Sequence, residues 1–515
     1  MAITSFKFLC FYALILVLYY LIPCFTRKRG QWLILLAASV IFYVYSDNPV
    51  LIVYPLISAF VTWILLLILG KFDKKELIKR RIVLCCELLV LLGILIGLKY
   101  MKFISGSGLM VPMGLSFYTF ILLGYFIEVY NGIGKIQKNY FKTALYGIYF
   151  PILISGPIFK TRDSGEQFFD YHPLKYKNIT YGMFRMLWGF FKELVISERL
   201  AVIVNTIFND DTNYQGAFIW LGAVCFAFQL YTNFSGCMDI VIGLSETFGI
   251  ILPENFKTPF LAKNISEYWR RWHMTLGVWM KDNVFYPLLR TKLFMDLGKT
   301  LKKKLGKKHG KQVTTYAAMF ILWFCVGMWH GGEAKYVIGS GLLHWAYIVI
   351  GEVTLPFFTW MFAGKMHINL EGKFANAVRV ARTFLLVCIG DVFFRSDSVS
   401  HALRMLREAV TVFNPWIFID GSLLDLGLDI YSWGIVLLSL MILVVVSVMQ
   451  YRMEMAATGK ISDSGLSRYS CVRDIIADKN IVLRWVIIIA LLFYVILLAE
   501  YGPGYSAAEF IYKDF

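Results

Sequence analysis

The sequence predicts an all-α polytopic membrane protein, and three observations carry that prediction. Hydrophobic residues make up 58% of the 515 and charged residues only 17%, against roughly 45–50% and about 25% in soluble domains. Apolar stretches of about 20 residues, enough to cross a hydrocarbon core of ~30 Å as a helix, recur along the chain. The net charge of +17 gathers in short runs between those stretches, as it does in loops held on the cytoplasmic side. No basic face interleaves with aromatics, which excludes a nucleic-acid partner. The charge instead serves topology and anionic lipid head groups.

Taken in order, four spans open the chain at 6–25, 31–46, 50–70 and 82–98. The first has no basic lead-in or small-residue cleavage site, so it reads as a retained helix. Basic loops at 26–30 (TRKRG) and 71–81 (KFDKKELIKRR) alternate with a loop at 46–49 (SDNP) that is not basic, which puts the N-terminus outside. Segments 107–130 and 141–160 are apolar but broken by glycine and proline, a pattern tolerated in a membrane only beside protein or a water-filled cavity. Segments 178–206 and 260–290 mix aromatics with charge and read as interfacial or re-entrant helices. Segment 216–250 is apolar again. Residues 290–312 are the most basic stretch, nine Lys/Arg against one Asp, and read as a cytoplasmic loop. Spans follow at 313–330, 336–353, 377–395, 430–450 and 482–500, leaving the C-terminal tail outside. The total is about 11–12 membrane segments in three regions: 1–100, 101–400 and 401–515. No internal repeat points to a secondary transporter.

Chemistry concentrates at a few places. In GMWHGGE (327–333), a helix starting near Thr314 puts His330 about 24 Å along its axis, at membrane depth. Ionisable groups there face an interior cavity by default. Trp329 precedes it, and Gly331 and Gly332 behind it remove side chains so that a substrate can approach. In SEYWRRWHMTLGVWM (266–280), Trp269, Trp272 and Trp279 fall on one face of a helix. His273 lies beside them, and Arg270 and Arg271 are suited to an anionic donor. In segment 216–250, Asn233, Ser235 and Asp239 form a polar face, and a carboxylate in an apolar run needs a partner. His344, in the span after His330, is a candidate for the same cavity. The nine cysteines include no C-x-x-C pair and read as small buried hydrophobes, neither a disulfide framework nor a metal site. There is no phosphate-binding G-x-x-x-x-G-K-[ST], no H-E-x-x-H and no G-x-S-x-G.

These residues, read together, resemble a known family. FSGCMDIVIG, then NFKTPFLAKNISEYWRRWHMTLGVWMKDNVFYPL, then GMWHGGE, in that order, resemble the membrane-bound O-acyltransferase (MBOAT) family. The match is to its bacterial branch, which serves alginate O-acetylation and, in shorter relatives, D-alanyl transfer to teichoic acid. SGPI (155–158), GFFKE (189–193), FFRS (393–396) and the ending EFIYKDF add to the resemblance, which runs from about residue 100 onward. Where the family commonly has Tyr-Ser, this chain has Cys237 and Met238, so no hydroxyl role is assigned there; Lys513 stands where an aromatic is usual.

The resemblance implies a funnel of helices leading to a buried histidine, with 101–400 as the catalytic core. His330 and His273 match the family's two histidines. It implies no bound cofactor but a cytoplasmic thioester donor, acetyl-CoA or an acyl carrier protein. The acceptor would be a cell-envelope polysaccharide outside a bacterial cytoplasmic membrane, reached directly or through an extracytoplasmic acyltransferase or small membrane partner. On this reading His330 takes the acceptor hydroxyl proton, and His273 orients the thioester or stabilises the oxyanion. Asp239, Asn233, Ser235, Arg270, Arg271, Trp272, Trp329 and His344 support them. D-alanyl transfer is the alternative acyl chemistry, and a transporter or export scaffold the alternative of another class.

Overall fold

A backbone in lipid must satisfy its own hydrogen bonds, which favours helices wherever the chain is apolar. The computed structural model describes residues 2–500 except 27, 47, 102–109 and 460–469, and among these every regular element is helical. The C-terminal tail, with EFIYKDF and Lys513, lies outside the described residues, as does the start of segment 107–130.

Eight helices among the described residues are long and apolar enough to cross a membrane. They are α1 (Phe6–Phe25), α3 (Val53–Leu69, led in by a 3-10 turn at Pro49–Ile52), α4 (Leu77–Tyr100), α10 (Ala217–Thr247), α14 (Lys292–Trp329), α15 (Leu343–Thr359, extended by π-helical turns at both ends), α18 (Ile430–Ala457) and α20 (Ile481–Leu498). Two further apolar helices, α2 (Gln31–Val44) and α5 (Leu115–Tyr130), are shorter. Segment 141–160 is two short helices, α6 (Tyr140–Ile148) and α7 (Phe150–Leu153), parted at Tyr149 where ψ is 111°. Segment 377–395 belongs to α16 (Lys373–Arg395), which carries Lys373, Arg379, Arg382, Asp391 and Arg395 and so lacks a clean apolar window.

The chain divides into two compact units. The first holds Met1–Phe190 and Cys237–Glu254, including α1–α7 and α8 (Tyr176–Phe190). Its helices meet on small residues. A Cβ on Gly182 would lie 2.3 Å from the Gly243 carbonyl oxygen, so backbone meets backbone there, as small-residue contacts between membrane helices allow. Its buried polar groups pair across helices: Thr62 donates to Glu87 at 2.7 Å, Tyr12 to Thr247 at 3.0 Å and Tyr149 to Ser245 at 3.2 Å.

The second unit holds Phe191–Gly236 and the described residues from Asn255 onward. It begins with a buried π-helical turn, Phe191–Ser197, and α9 (Glu198–Asn209). After the first part of α10 come α11 (Ile265–Trp269), α12 (Met274–Met280) and α13 (Tyr286–Leu289), then α14. The basic stretch 290–312 is not an irregular loop. It folds as a helical hairpin inside α14, turning at Gly306, whose φ of 79° is left-handed and suits glycine. The two arms close tightly: a Cβ on Gly310 would sit 2.4 Å from the Lys302 backbone nitrogen. Lysines 299, 302, 303, 304, 307, 308 and 311 are exposed around that turn.

Past the hairpin, α14 runs to Trp329 and is crossed by the π-helical turn Tyr336–Leu342. The crossing is a backbone contact. A Cβ on Gly327 would lie 2.6 Å from Val337 Cα, and one on Gly341 2.6 Å from the Trp323 carbonyl oxygen. α16 closes on the same turn, with a Cβ on Gly339 only 2.3 Å from Phe393 Cβ. The unit is completed by α17 (Val399–Thr411), α18, α19 (Val472–Ala477) and α20.

Candidate active site

The segment around His273 departs from the single helix that the tryptophan spacing predicts. α11 ends at Trp269, and α12 starts at Met274. Between them His273 adopts a left-handed backbone, φ 43° and ψ 50°, so Trp269, Trp272 and Trp279 do not form one stripe. The cause is a neighbouring strand of chain. Lys257 N–H donates to the Arg271 carbonyl, and Met274 N–H to the Asn255 carbonyl, both at 2.9 Å. These tertiary bonds capture backbone groups that a continuous helix would use internally.

Asn255 also fixes the protonation of His273. Its Oδ1 accepts from Thr275 N–H at 3.1 Å and from the Thr275 hydroxyl at 2.9 Å. A backbone N–H can only donate, so the atom facing it is the amide oxygen. The same oxygen lies 3.1 Å from His273 Nδ1. An oxygen already acting as acceptor requires Nδ1 to carry the proton, which leaves Nε2 of neutral His273 as a lone-pair acceptor. Neutral His273 therefore has no N–H to offer an oxyanion at Nε2, contrary to one role the sequence suggested. Asn255 drew no attention in the sequence, where it looks like any loop asparagine.

His330 caps the C-terminus of α14, with its N–H bonded to the Val326 carbonyl at 3.2 Å. Gly331 and Gly332 follow with φ of 145° and 77°. That turn accounts for both glycines by backbone geometry, and clearance for a substrate is not needed to explain them. Trp329 joins the two imidazoles: its ring centroid is 5.4 Å from that of His273 and 4.8 Å from that of His330. Phe234 closes over His273 at 4.8 Å, edge to face, and Phe394 over His330 at 5.6 Å. His273, His330 and Trp329 are all at most 4% exposed. The arrangement is two imidazoles on one indole, walled by aromatics, where water has little room to compete.

The remaining sequence candidates divide. Trp272 is buried and packs on Phe256 at 5.0 Å and Tyr268 at 5.6 Å, supporting the bend before His273. Asn233 and Ser235 flank Phe234 on α10, and they bond to two adjacent buried side chains on the π-helical turn. Asn233 donates to Glu193 at 2.8 Å, and Lys192 donates to Ser235 at 2.9 Å. Lys192 and Glu193 stand in GFFKE; their signal was two adjacent charges inside an apolar run. Asp239, one turn after Ser235 on α10, has different partners. It belongs to the first unit, where Arg185 meets Asp239 at 2.9 Å, Glu246 at 3.3 Å and Glu254 at 2.5 Å. Arg271 is taken up by Glu267 at 3.0 Å and Glu454 at 2.7 Å, so its charge is already matched within the protein. Arg270 is exposed. His344 is buried against Trp269, ring centroids 5.0 Å apart.

Comparison with known proteins adds a second line of observation. A model of the membrane-bound O-acyltransferase family matches residues 136–389. The chain is 32% identical to the probable alginate O-acetylase AlgI of Pseudomonas syringae pv. tomato, over 79% of this chain and 74% of that protein. It is 27% identical to the peptidoglycan O-acetyltransferase of Helicobacter pylori, over 59% of this chain and 57% of that one. It is 26% identical to the teichoic acid D-alanyltransferase of Bacillus subtilis, over 66% and 85%.

Proposed function

Because this chain belongs to the membrane-bound O-acyltransferase family, we propose that it transfers an acetyl group from a thioester donor to a hydroxyl of a cell-envelope polysaccharide, or to a partner that serves one. It is a multi-pass membrane O-acyltransferase; acetyl, the thioester donor, the acceptor and a bacterial cytoplasmic membrane are the proposed particulars. Membership sets aside the transporter and scaffold readings. Relatives named for O-acetylation reach 32% identity, against 26% for the D-alanyltransferase, which favours acetyl over D-alanyl.

The observation that carries the mechanism is the pair of imidazoles held on Trp329. Transfer forms a bond between the acceptor oxygen and the acyl carbon and breaks the C–S bond. The hydroxyl proton must leave the oxygen and reach the departing thiolate. His330 takes that proton as general base and returns it to sulfur. His273, presenting Nε2 as an acceptor, orients the acceptor by taking a hydrogen bond from a neighbouring hydroxyl of the sugar, leaving the reacting hydroxyl's proton to His330. Aromatic walls exclude water, which limits hydrolysis of the thioester. In this reading the acyl group passes directly from sulfur to the acceptor oxygen.

The test compares wild type and His330→Ala in proteoliposomes, each checked for folding by size-exclusion chromatography. Acetyl ester content of the envelope polymer, read by mass spectrometry, should fall at least a hundredfold in the variant, the scale on which acid–base residues act. Normal acetylation by a folded His330→Ala protein would sink this mechanism. A D-alanyl ester on the polymer would replace acetyl by the second reading.

A further inference from the structure

We propose that Trp269, Ser340 and His344 form a subsite that binds a secondary amide in the arm of the acyl donor. The inference rests on the O-acyltransferase reading above. Trp269 Nε1, Ser340 Oγ and His344 Nδ1 are each enclosed, and none has a hydrogen-bond partner among the described residues. Such atoms are rare in native interiors, and each calls for an explanation.

Two of the side chains are in contact, and the third lies one turn away along the chain. The Trp269 and His344 rings meet edge to face at 5.0 Å. Ser340 precedes His344 by four residues, on the π-helical turn that leads into α15, a spacing that puts the two on one helical face. Trp323 stacks on His344 at 6.0 Å and meets Trp269 at 4.8 Å, and Tyr347 stands perpendicular to His344 at 5.9 Å. Opposite them the backbone is glycine: a Cβ on Gly390 would come within 3.0 Å of His344 Nε2.

Hydrogen-bond chemistry selects the ligand. An indole N–H only donates, a hydroxyl does both, and an imidazole nitrogen does one or the other by tautomer. The guest must therefore bring an acceptor, and it gains from bringing a donor as well. A secondary amide has both: its carbonyl accepts from Trp269, and its N–H donates to His344 or Ser340. The methylenes beside an amide suit the aromatic walls. A carboxylate or phosphate finds no cation among these side chains, and a plain alkyl chain leaves all three polar atoms unmatched.

Position gives the subsite its role. Trp323 precedes Trp329 by six residues on α14, about 9 Å along the axis, on the side of the lysine hairpin. A donor arriving from the lysine end meets Trp269 and His344 before its thioester reaches His273 and His330. Thioester donors built on cysteamine carry an amide close to the sulfur. The subsite reads that amide and sets how far the sulfur advances.

The experiment uses the full chain in proteoliposomes with two acetyl donors. S-acetyl-N-acetylcysteamine has one amide; S-pentyl thioacetate is of similar length with none. Wild type should prefer the first by about tenfold in kcat/KM, the scale of two neutral hydrogen bonds. His344→Leu and the milder Ser340→Ala, each shown to fold, should bring that ratio below about threefold. A wild type indifferent to the amide, or folded variants that keep the full preference, would overturn the proposal. So would variants that slow both donors equally, since that marks a buried structural water. Failure of the O-acyltransferase reading looks different: wild type would transfer acetyl from neither thioester, nor from acetyl-CoA.

Discussion

Asn255 governs what His273 can do. Its amide oxygen collects three donors, two from Thr275 and one from His273 Nδ1, and so selects the imidazole tautomer. Removing that oxygen in Asn255→Ala should lower kcat by roughly ten- to a hundredfold, the usual cost of losing an orienting partner, while donor KM changes little. Asn255→Asp retains an acceptor oxygen and should keep more activity than Ala; the reverse order in steady-state assays would refute the assignment. At this scale the sequence was half legible. His330 and His273 stood out because a titratable residue at membrane depth is anomalous in any apolar run. Asn255 did not, because its partner is 18 positions away and nothing local marks the contact. Glu193, which is 1% exposed and bonded to Asn233, escaped a role for the same reason.

Among the elements, the crossing of α14 with the π-helical turn Tyr336–Leu342 holds His330 in place. Its contact is backbone on backbone, so any side chain added there must push the two apart. Gly341→Val should destabilise the protein by on the order of 3 kcal/mol, at the upper end of overpacking costs, seen as a lower melting temperature in detergent. An unchanged melting temperature would mean the crossing yields freely. In the first unit, Arg185→Met takes the guanidinium away from Asp239 and Glu246, each 17% exposed, and from Glu254, which at 46% is partly relieved by solvent. A loss of about 3 kcal/mol is expected for a buried pair broken on one side; a stabilised variant would show instead that the cluster is dispensable. Helix type and order were readable from hydropathy, but element boundaries were not. The tryptophan stripe failed because tertiary bonds from residues 255–257 capture the backbone at 271–274. The basic stretch read as a loop because charge suggested solvent, yet lysine is a good helix former and Gly306 supplies the one turn required.

For the whole molecule, the class was the most legible property, since composition alone separates membrane from soluble chains. The number of spans was less so. Eight helices meet the requirement among the described residues and α2 and α5 are shorter apolar helices; the 11–12 membrane segments expected from the sequence also take in short and charged helices such as α6, α7 and α16. Charge distribution carries its own prediction. With its lysines exposed about Gly306, the hairpin should attract anionic donors and lose that pull as salt screens it. Between about 0.05 and 0.5 M salt, kcat/KM for acetyl-CoA should fall several-fold, while the uncharged S-acetyl-N-acetylcysteamine should show no comparable decline. Equal salt dependence of the two donors would remove the hairpin from donor capture.

The left-handed backbone at His273 has a consequence for mutagenesis. A φ of 43° is tolerated by glycine and asparagine but strains alanine and, far more, β-branched residues. In a saturation library at this position, loss of chemistry and loss of folding would therefore sort by side chain. Asn and Gly should populate an inactive class that still reaches the membrane in normal amounts, and Val and Ile a class depleted by quality control. His273→Asn, rather than alanine, is the substitution that isolates the imidazole.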